Sequence, residues 1–414
     1  MKNLFFAIFA STILLSCNEE AINVNGKQDS ETRAFVSTFS FDEVTNPEVW
    51  KSFKNVEEMK AACQIPDDIL SKMSTEELAK VCINYPLYGN YALYNDYETG
   101  IKAVMSGFNG FTELQKRADA GEKIIDCLER YNPANVSSTR SRSADFPALR
   151  IDYINKLLEL GGFTIQDSIR YNNIMLEKEY ELAQMPVTIS DSALDDPFDD
   201  MDDIYIPNIS TSYRAKEKED TILTYYGQMV FGKRNPEMAE SVQAGLSDYV
   251  RANFPNATVL KKASQLYNCH SYAWNLSEHG DTICWINANR TSENDNIKTY
   301  WSNDYFSKVY EGLPNIKKIF YYQSDHSATT SNVEGMYISK WGRGPLVRHA
   351  PGYGPYDNMD KRYYYKGESC AYATLENSEM GILKVGGTVS YGISKEPPLP
   401  PTKFPVREAW VVID

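Results

Sequence analysis

The chain has few histidines and lacks an excess of positive charge. Only four of its 414 residues are histidine, and 56 aspartates and glutamates outnumber 42 lysines and arginines, for a formal net charge of −14. No basic stripe with interleaved aromatic residues is present, and an acidic chain is repelled by phosphate backbones. These absences argue against nucleic acid as a partner.

Paired cysteine motifs and internal repeats are also absent. The seven cysteines form no Cys-x-x-Cys pair, and a chain of this length buries an adequate core without disulfides. The 42% apolar and 13% aromatic content predicts a folded globular protein. A disulfide between Cys269 and Cys284 remains an alternative that would block the thiol of Cys269.

Beyond its first residues the chain has no apolar run long enough to span a bilayer. Residues 1–17 are MKNLFFAIFASTILLSC, a charged start, a short apolar run and Ser16 before Cys17, which is typical of a secretory signal. The segment resembles a bacterial lipoprotein signal, which implies cleavage before Cys17 and its acylation, palmitate included. An ordinary signal peptide with a chance cysteine is the alternative.

The acidic pair Glu19-Glu20 resembles the surface-export signal of Bacteroidota lipoproteins. This resemblance implies an outer membrane lipoprotein on the periplasmic or cell-surface face, with the lipid as its only membrane anchor.

The rest of the sequence predicts an α+β fold with a mostly helical N-terminal region. Asn46-Pro47 and the capping box at 74–77 indicate helix starts. Further helices are expected at 98–106, 111–131, 147–160, 166–184 and 236–252. Strands are expected at 282–287, 316–322, 326–331, 335–341 and 346–349. The predicted organisation is a signal at 1–17, a tether at 18–40, a helical domain at 41–189, an acidic linker at 190–210, a helix-plus-antiparallel-sheet domain at 211–360 and a β-rich extension at 361–414.

The acidic linker contains seven aspartates within residues 190–203. The stretch lacks the spacing and closing glutamate of a calcium-binding EF-hand loop, so we interpret it as a solvated linker rather than a calcium site.

Cys269 and His326 form the candidate catalytic pair. Asn268 is a plausible N-cap, which makes Cys269 the first residue of a helix, where free N–H groups favour a thiolate. His326 begins a predicted strand and would accept and return the proton. Asp325 is expected to point to the opposite side of that strand. Either Ser339 or His349, on the next two strands, would orient His326.

These motifs resemble the NlpC/P60 and CHAP group of papain-like cysteine peptidases and amidases. The resemblance rests on Asn268–Tyr272, Asp325–Ala328 and Ser339, and covers about 250–356. His270 and Ser271 stand where that group usually has Ser-Gly, and a serine in the third place is atypical.

The resemblance implies a thiol hydrolase that cleaves amide bonds in a protein or a peptidoglycan stem peptide, without a cofactor. Two non-enzymatic hypotheses remain, namely a catalytically inactive binding protein of papain-like fold and a structural adhesin. Zinc held by Cys269, His270, His279 and Cys284 is a further alternative, although these residues match no standard ligand spacing.

Overall fold

The computed structural model describes residues 39–133, 146–185, 218–225, 227–286, 289–291, 294–302, 306–309, 316–356 and 361–366. The predicted signal peptide with Cys17, the tether up to residue 38, the acidic linker and the C-terminal extension after residue 366 lie outside these residues. The described residues all belong to one compact unit that begins at Phe39.

The N-terminal part is helical, as predicted. Asn46 caps the first helix and accepts a hydrogen bond from the Glu48 N–H, while Ser74 and Glu77 form the predicted capping box of α4. The helices are α1 Pro47–Ser52, α2 Val56–Ala62, α3 Asp67–Leu70, α4 Thr75–Ile83, α5 Tyr97–Ser106, α6 Asn109–Leu114, α7 Ala120–Arg130, α8 Pro147–Leu160 and α9 Ser168–Ala183, with a 3-10 helix at Tyr88–Leu93 before α5.

One helix boundary was predicted wrongly. The segment 111–131 was expected to be a single helix, but a turn separates α6 from α7. Gly121 lies in the first turn of α7, where an added Cβ would be 2.1 Å from the Thr164 carbonyl oxygen. The start of α7 thus packs closely against the backbone at Thr164, which is far away in sequence, directly after the turn that separates α6 from α7.

The second half combines short helices with antiparallel strands, which confirms the α+β class. The helices are α10 Glu240–Asn253, α11 Cys269–Trp274 and α12 Thr299–Ser302. The strands are β1 Lys218–Leu223, β2 Met229–Arg234, β3 Thr258–Lys261, β4 Trp285–Ile286, β5 Asn289–Thr291, β6 Asn294–Asp295, β7 Phe306–Val309, β8 Ile316–Tyr321, β9 His326–Thr330, β10 Tyr337–Lys340, β11 Leu346–His349 and β12 Lys361–Lys366.

A seven-stranded sheet carries the site. Its order is β3-β11-β10-β9-β8-β12-β7, with every neighbouring pair antiparallel. Tyr321 of β8 lies opposite His326 in register, so the tight turn between them places His326 at the end of the central strand. Because β12 joins this sheet, the first residues of the predicted C-terminal extension are part of it. Strands β1, β2 and β4 form a separate three-stranded sheet.

The helical part and the sheet share one hydrophobic core. Buried residues of α4 to α8 cluster with Tyr249 and Phe254 from α10 and its end, and with Trp341 and Val347 from the sheet. The Trp50 indole N–H of α1 donates to the Asn253 carbonyl, at the end of α10, at 2.9 Å. The helices therefore brace the sheet directly. None of the described helices is long and apolar enough to cross a membrane.

The loop after β10 is fixed against the 3-10 helix before α5. The Arg343 N–H donates to the Ala92 carbonyl at 3.0 Å. Gly342 has φ +49, and a Cβ added at this residue would lie only 2.4 Å from the Leu93 carbonyl carbon. A side chain at residue 342 would push this loop away from the helices.

We expect Gly342→Ala to destabilise the protein more than Gly335→Ala. Both glycines have positive φ, which costs about 1–2 kcal/mol for an L-residue, but nothing lies within 4 Å of a Cβ at Gly335. The overlap at Gly342 should add about 1–3 kcal/mol. Urea unfolding of the two variants measures the difference, and equal losses would contradict the close packing at Gly342.

Candidate active site

The start of α11 is fixed by Asn268, as predicted. Its side-chain oxygen accepts hydrogen bonds from the Ser271 N–H at 3.1 Å and the Ile286 N–H at 3.2 Å, and its amide donates to the Ile286 carbonyl at 2.7 Å. Asn268 therefore caps the helix and ties it to β4. Cys269 follows as the first helical residue, as expected.

Cys269 lies at the junction of three segments. Its thiol is within hydrogen-bond distance of the Asn95 side-chain oxygen at 3.5 Å and the Asp325 carbonyl at 3.9 Å, and the residue is 1% exposed. Cys269 and Cys284 are both free thiols, so the alternative of a disulfide between them is wrong. Asn95, from the helical part, thus reaches the predicted nucleophile.

His270 is fully buried and lies in a chain of hydrogen-bonded polar groups. One ring nitrogen, Nε2, is 3.2 Å from Asp325 Oδ1, and the other, Nδ1, is 2.8 Å from the Ser327 hydroxyl. The same hydroxyl accepts a hydrogen bond from the Trp274 indole N–H at 2.9 Å. Because both ring nitrogens have partners, the orientation of this imidazole is fixed by its neighbours.

His270 and Asp325 form an ion pair. Burial opposes the charged form of His270, but the neighbouring Cys269 and the Asp325 carboxylate outweigh it and hold the pKa of His270 well above its ordinary value. Burial likewise opposes ionisation of Asp325, yet His270 and the Asn95 amide keep its pKa below the ordinary value. A positive imidazolium therefore lies beside Cys269 at neutral pH.

His326 is neutral and lacks hydrogen bonds. It is 1% exposed, its ring stacks on Tyr356 with centroids 3.6 Å apart, and neither ring nitrogen has a hydrogen-bond partner within the described residues. Burial, together with the charges of His349 and His270, holds its pKa well below the ordinary value. Buried polar atoms are almost always hydrogen-bonded, so this imidazole is unusual.

The described residues contain no hydrogen bond between Cys269 and His326, the pair predicted from the sequence. The ring of Tyr356 stacks on His326, and burial, followed by the charge of Cys269, raises the pKa of Tyr356. The pairing of Cys269 with His326 stays a prediction.

The predicted orienting residues bond to each other. The Ser339 hydroxyl is 2.7 Å from His349 Nε2 and accepts from the Trp341 indole N–H at 2.9 Å, while His349 Nδ1 is 3.0 Å from the Ala350 carbonyl. Burial lowers the pKa of His349 to about 4. The structure brings Ser339 and His349 together and bonds neither to His326.

Three residues contact this site without a catalytic role predicted from the sequence, namely Asn95, His270 and Asp325. Asp325 was set aside by strand alternation, but it has φ +47 and precedes β9, so that alternation does not apply to it. Asn95 lies 174 residues before Cys269, and no sequence pattern links the two. For His270, the signal was the presence of all four histidines within 270–349.

The zinc alternative has no support in the geometry. Among the residues that the structure describes, no group of three or more histidine, cysteine, aspartate or glutamate side chains could hold a metal ion. His279 is exposed, at the left-handed end of the 3-10 helix Leu276–Glu278 that follows α11, whereas His270 is fully buried and paired with Asp325.

We expect Asp325→Asn to weaken the fold in a pH-dependent way. The raised pKa of His270 contributes stability below its unfolded value of about 6.5, and the lowered pKa of Asp325 contributes above its unfolded value of about 3.9. The loss should therefore be largest between about pH 4 and 6.5 and decrease as the pH rises toward the raised pKa of His270.

The size of this loss should be about 1 kcal/mol, because the Asp325 side chain is 40% exposed and solvent screens the pair. Urea unfolding across the pH range measures it, with Asp281→Asn, at an exposed aspartate, as the control. A loss that is constant with pH would contradict the ion pair.

The chain was compared with protein-family models, curated proteins and solved structures. No family model, no curated protein and no solved structure matches it.

Proposed function

We propose that this protein is a cysteine hydrolase of amide bonds with a papain-like arrangement, in which Cys269 is the nucleophile. The observation that carries the proposal is the environment of Cys269. A free thiol begins a helix that packs on the central strands, beside the charged pair of His270 and Asp325. A positive group next to a cysteine favours the reactive thiolate.

The two buried imidazoles, of His270 and His326, have different roles in this proposal. His270 stays protonated at neutral pH because its pKa is raised, so it stabilises negative charge on Cys269 and cannot accept a proton. His326 stays neutral because its pKa is lowered, so it is free to exchange a proton with the attacking or leaving group. Asp325 and Ser327 orient His270, and the amide of Asn95 holds Asp325.

The proposed reaction proceeds through a thioester. His326 takes the proton of the Cys269 thiol as the sulfur adds to the carbonyl carbon of the substrate amide. The C–N bond then breaks, and the leaving amine takes this proton from His326. Water then hydrolyses the thioester and restores the thiol. Substrates of this class include proteins and peptidoglycan stem peptides.

A binding protein without turnover is the second candidate. The observation that favours it is that Cys269 is only 1% exposed, while the hydrogen bonds of Ser339 and His349 join these two residues to each other. In this case the papain-like arrangement would serve recognition, and Cys269 would be a buried small side chain.

We expect iodoacetamide to label Cys269 at pH 7 faster than the other buried thiols. Burial raises the pKa of Cys63 and Cys284 to about 12 and that of Cys127 to about 11, which makes them internal references. His270→Asn should slow the labelling of Cys269 at least tenfold, because it removes the neighbouring positive charge. Peptide mass spectrometry measures each site.

The His326→Asn variant should keep the labelling of Cys269 but lose cleavage of peptidyl-aminocoumarin amides. His279→Asn is the matched control, since His279 is exposed in a left-handed conformation that asparagine tolerates. If Cys269 is labelled no faster than Cys284, the result would contradict the hydrolase proposal and favour the binding protein.

We also propose that Cys17 carries a lipid and anchors the protein to the outer membrane, on the periplasmic or surface face. In cells fed an alkynyl palmitate, the protein should incorporate the label and fractionate with membranes. Cys17→Ala should abolish both, whereas Cys370→Ala should change neither. Labelling that persists in Cys17→Ala would contradict the lipoprotein proposal.

A further inference from the structure

Lys340, the last residue of β10, is fully buried. Its ammonium donates hydrogen bonds to the carbonyls of Ser264 at 2.7 Å, Gly342 at 2.7 Å and Gly344 at 2.6 Å. All three N–H donors of the side chain are thus used. Because these three acceptors are uncharged, they satisfy the donors of Lys340 but do not neutralise its positive charge.

These bonds tie the loop after β10 to the segment that leads into α11. Ser264 belongs to this segment, and its N–H donates in turn to the Arg343 carbonyl at 3.1 Å. The Lys340 nitrogen also lies 5.1 Å from the centroid of the Tyr267 ring, two residues before Cys269, and β10 packs against α11. The ammonium therefore lies in the core beside the segment that ends at Cys269.

The charges that act on Lys340 include that of Cys269. Burial lowers the pKa of Lys340 to about 7, the charges of Glu237 and Cys269 raise it, and that of Arg343 lowers it. The three carbonyl acceptors favour the charged form of Lys340. Coupling between two sites is reciprocal, so an ammonium at Lys340 favours a thiolate at Cys269 as much as the thiolate favours the ammonium.

We propose that Lys340 is a positioning residue of the Cys269 site, whose ammonium fixes the segment before α11 and stabilises the thiolate from within the core. The inference rests on the proposed role of Cys269 as the nucleophile. It assigns a second cation to the site, in addition to the imidazolium of His270. Both cations are buried, so water and salt screen their effect on the thiolate only weakly.

Iodoacetamide labelling of Cys269 in the full-length protein, at pH 6 and pH 9.5, tests this role with Lys340→Met, which removes the charge and keeps a long unbranched side chain. We expect labelling to slow at least about threefold at pH 6, where Lys340 of the parent is charged, and much less at pH 9.5, where it is neutral. A merely structural loss would change both rates by the same factor, and that result would overturn the proposal.

Lys318→Met is the matched control. Lys318 is also buried in the sheet, on β8, but its charge is paired with Glu278 at 2.5 Å. This variant should change the labelling of Cys269 by the same factor at both pH values.

The same experiment separates this inference from the hydrolase proposal. Fast labelling of the parent, with no loss at pH 6 in Lys340→Met, would overturn this inference alone. If Cys269 of the parent is labelled no faster than Cys284, the hydrolase proposal fails and this inference fails with it.

A second measurement decides the case in which Lys340→Met does not fold. In protein carrying ¹³C at the lysine Cε atoms, an NMR titration follows the pKa of Lys340 in the parent and in Cys269→Ser. Because a serine hydroxyl carries no charge, the pKa of Lys340 should fall by at least about half a pH unit, which corresponds to the threefold effect on labelling. An unchanged pKa of Lys340 would refute the proposal.

Discussion

The side-chain amide of Asn95 is the interaction on which the site depends. Its oxygen accepts from the Asn268 amide at 3.2 Å and lies 3.5 Å from the thiol of Cys269. Its nitrogen donates to the Asp325 carbonyl at 2.7 Å. One side chain from the helical part thus holds both the start of α11 and the turn before β9. These hydrogen bonds are partly buried, and loss of the Asn95 amide would cost about 0.5–1.5 kcal/mol for each of them.

Two similar hydrogen-bonded relays support adjacent strands. On β9, the Trp274 indole donates to Ser327, which lies 2.8 Å from His270; near β10, the Trp341 indole donates to Ser339, which lies 2.7 Å from His349. In each relay the hydroxyl oxygen accepts a hydrogen bond from the indole N–H. The relays end differently, because the first reaches the Asp325 carboxylate and the second a backbone carbonyl.

Local signals predicted the elements of this fold well and its long-range contacts poorly. Asn268 as the cap of α11 and the capping box of α4 follow from hydrogen bonds within a few residues, so the sequence sufficed. The contact of Asn95 with Cys269 depends on how the helices pack against the sheet. The role of Asp325 depends on one positive φ in a tight turn, which period-two alternation does not anticipate.

The same burial gives two imidazoles opposite charges. His270 and His326 are both removed from water, which by itself favours the neutral form of each. His270 lies beside Cys269 and the Asp325 carboxylate, which together reverse the direction of its pKa shift, whereas His326 faces the ring of Tyr356. Between the two pKa values the site holds one imidazolium and one neutral imidazole. This interval includes neutral pH, where a thiol hydrolase needs one group to stabilise the thiolate and another to exchange the proton.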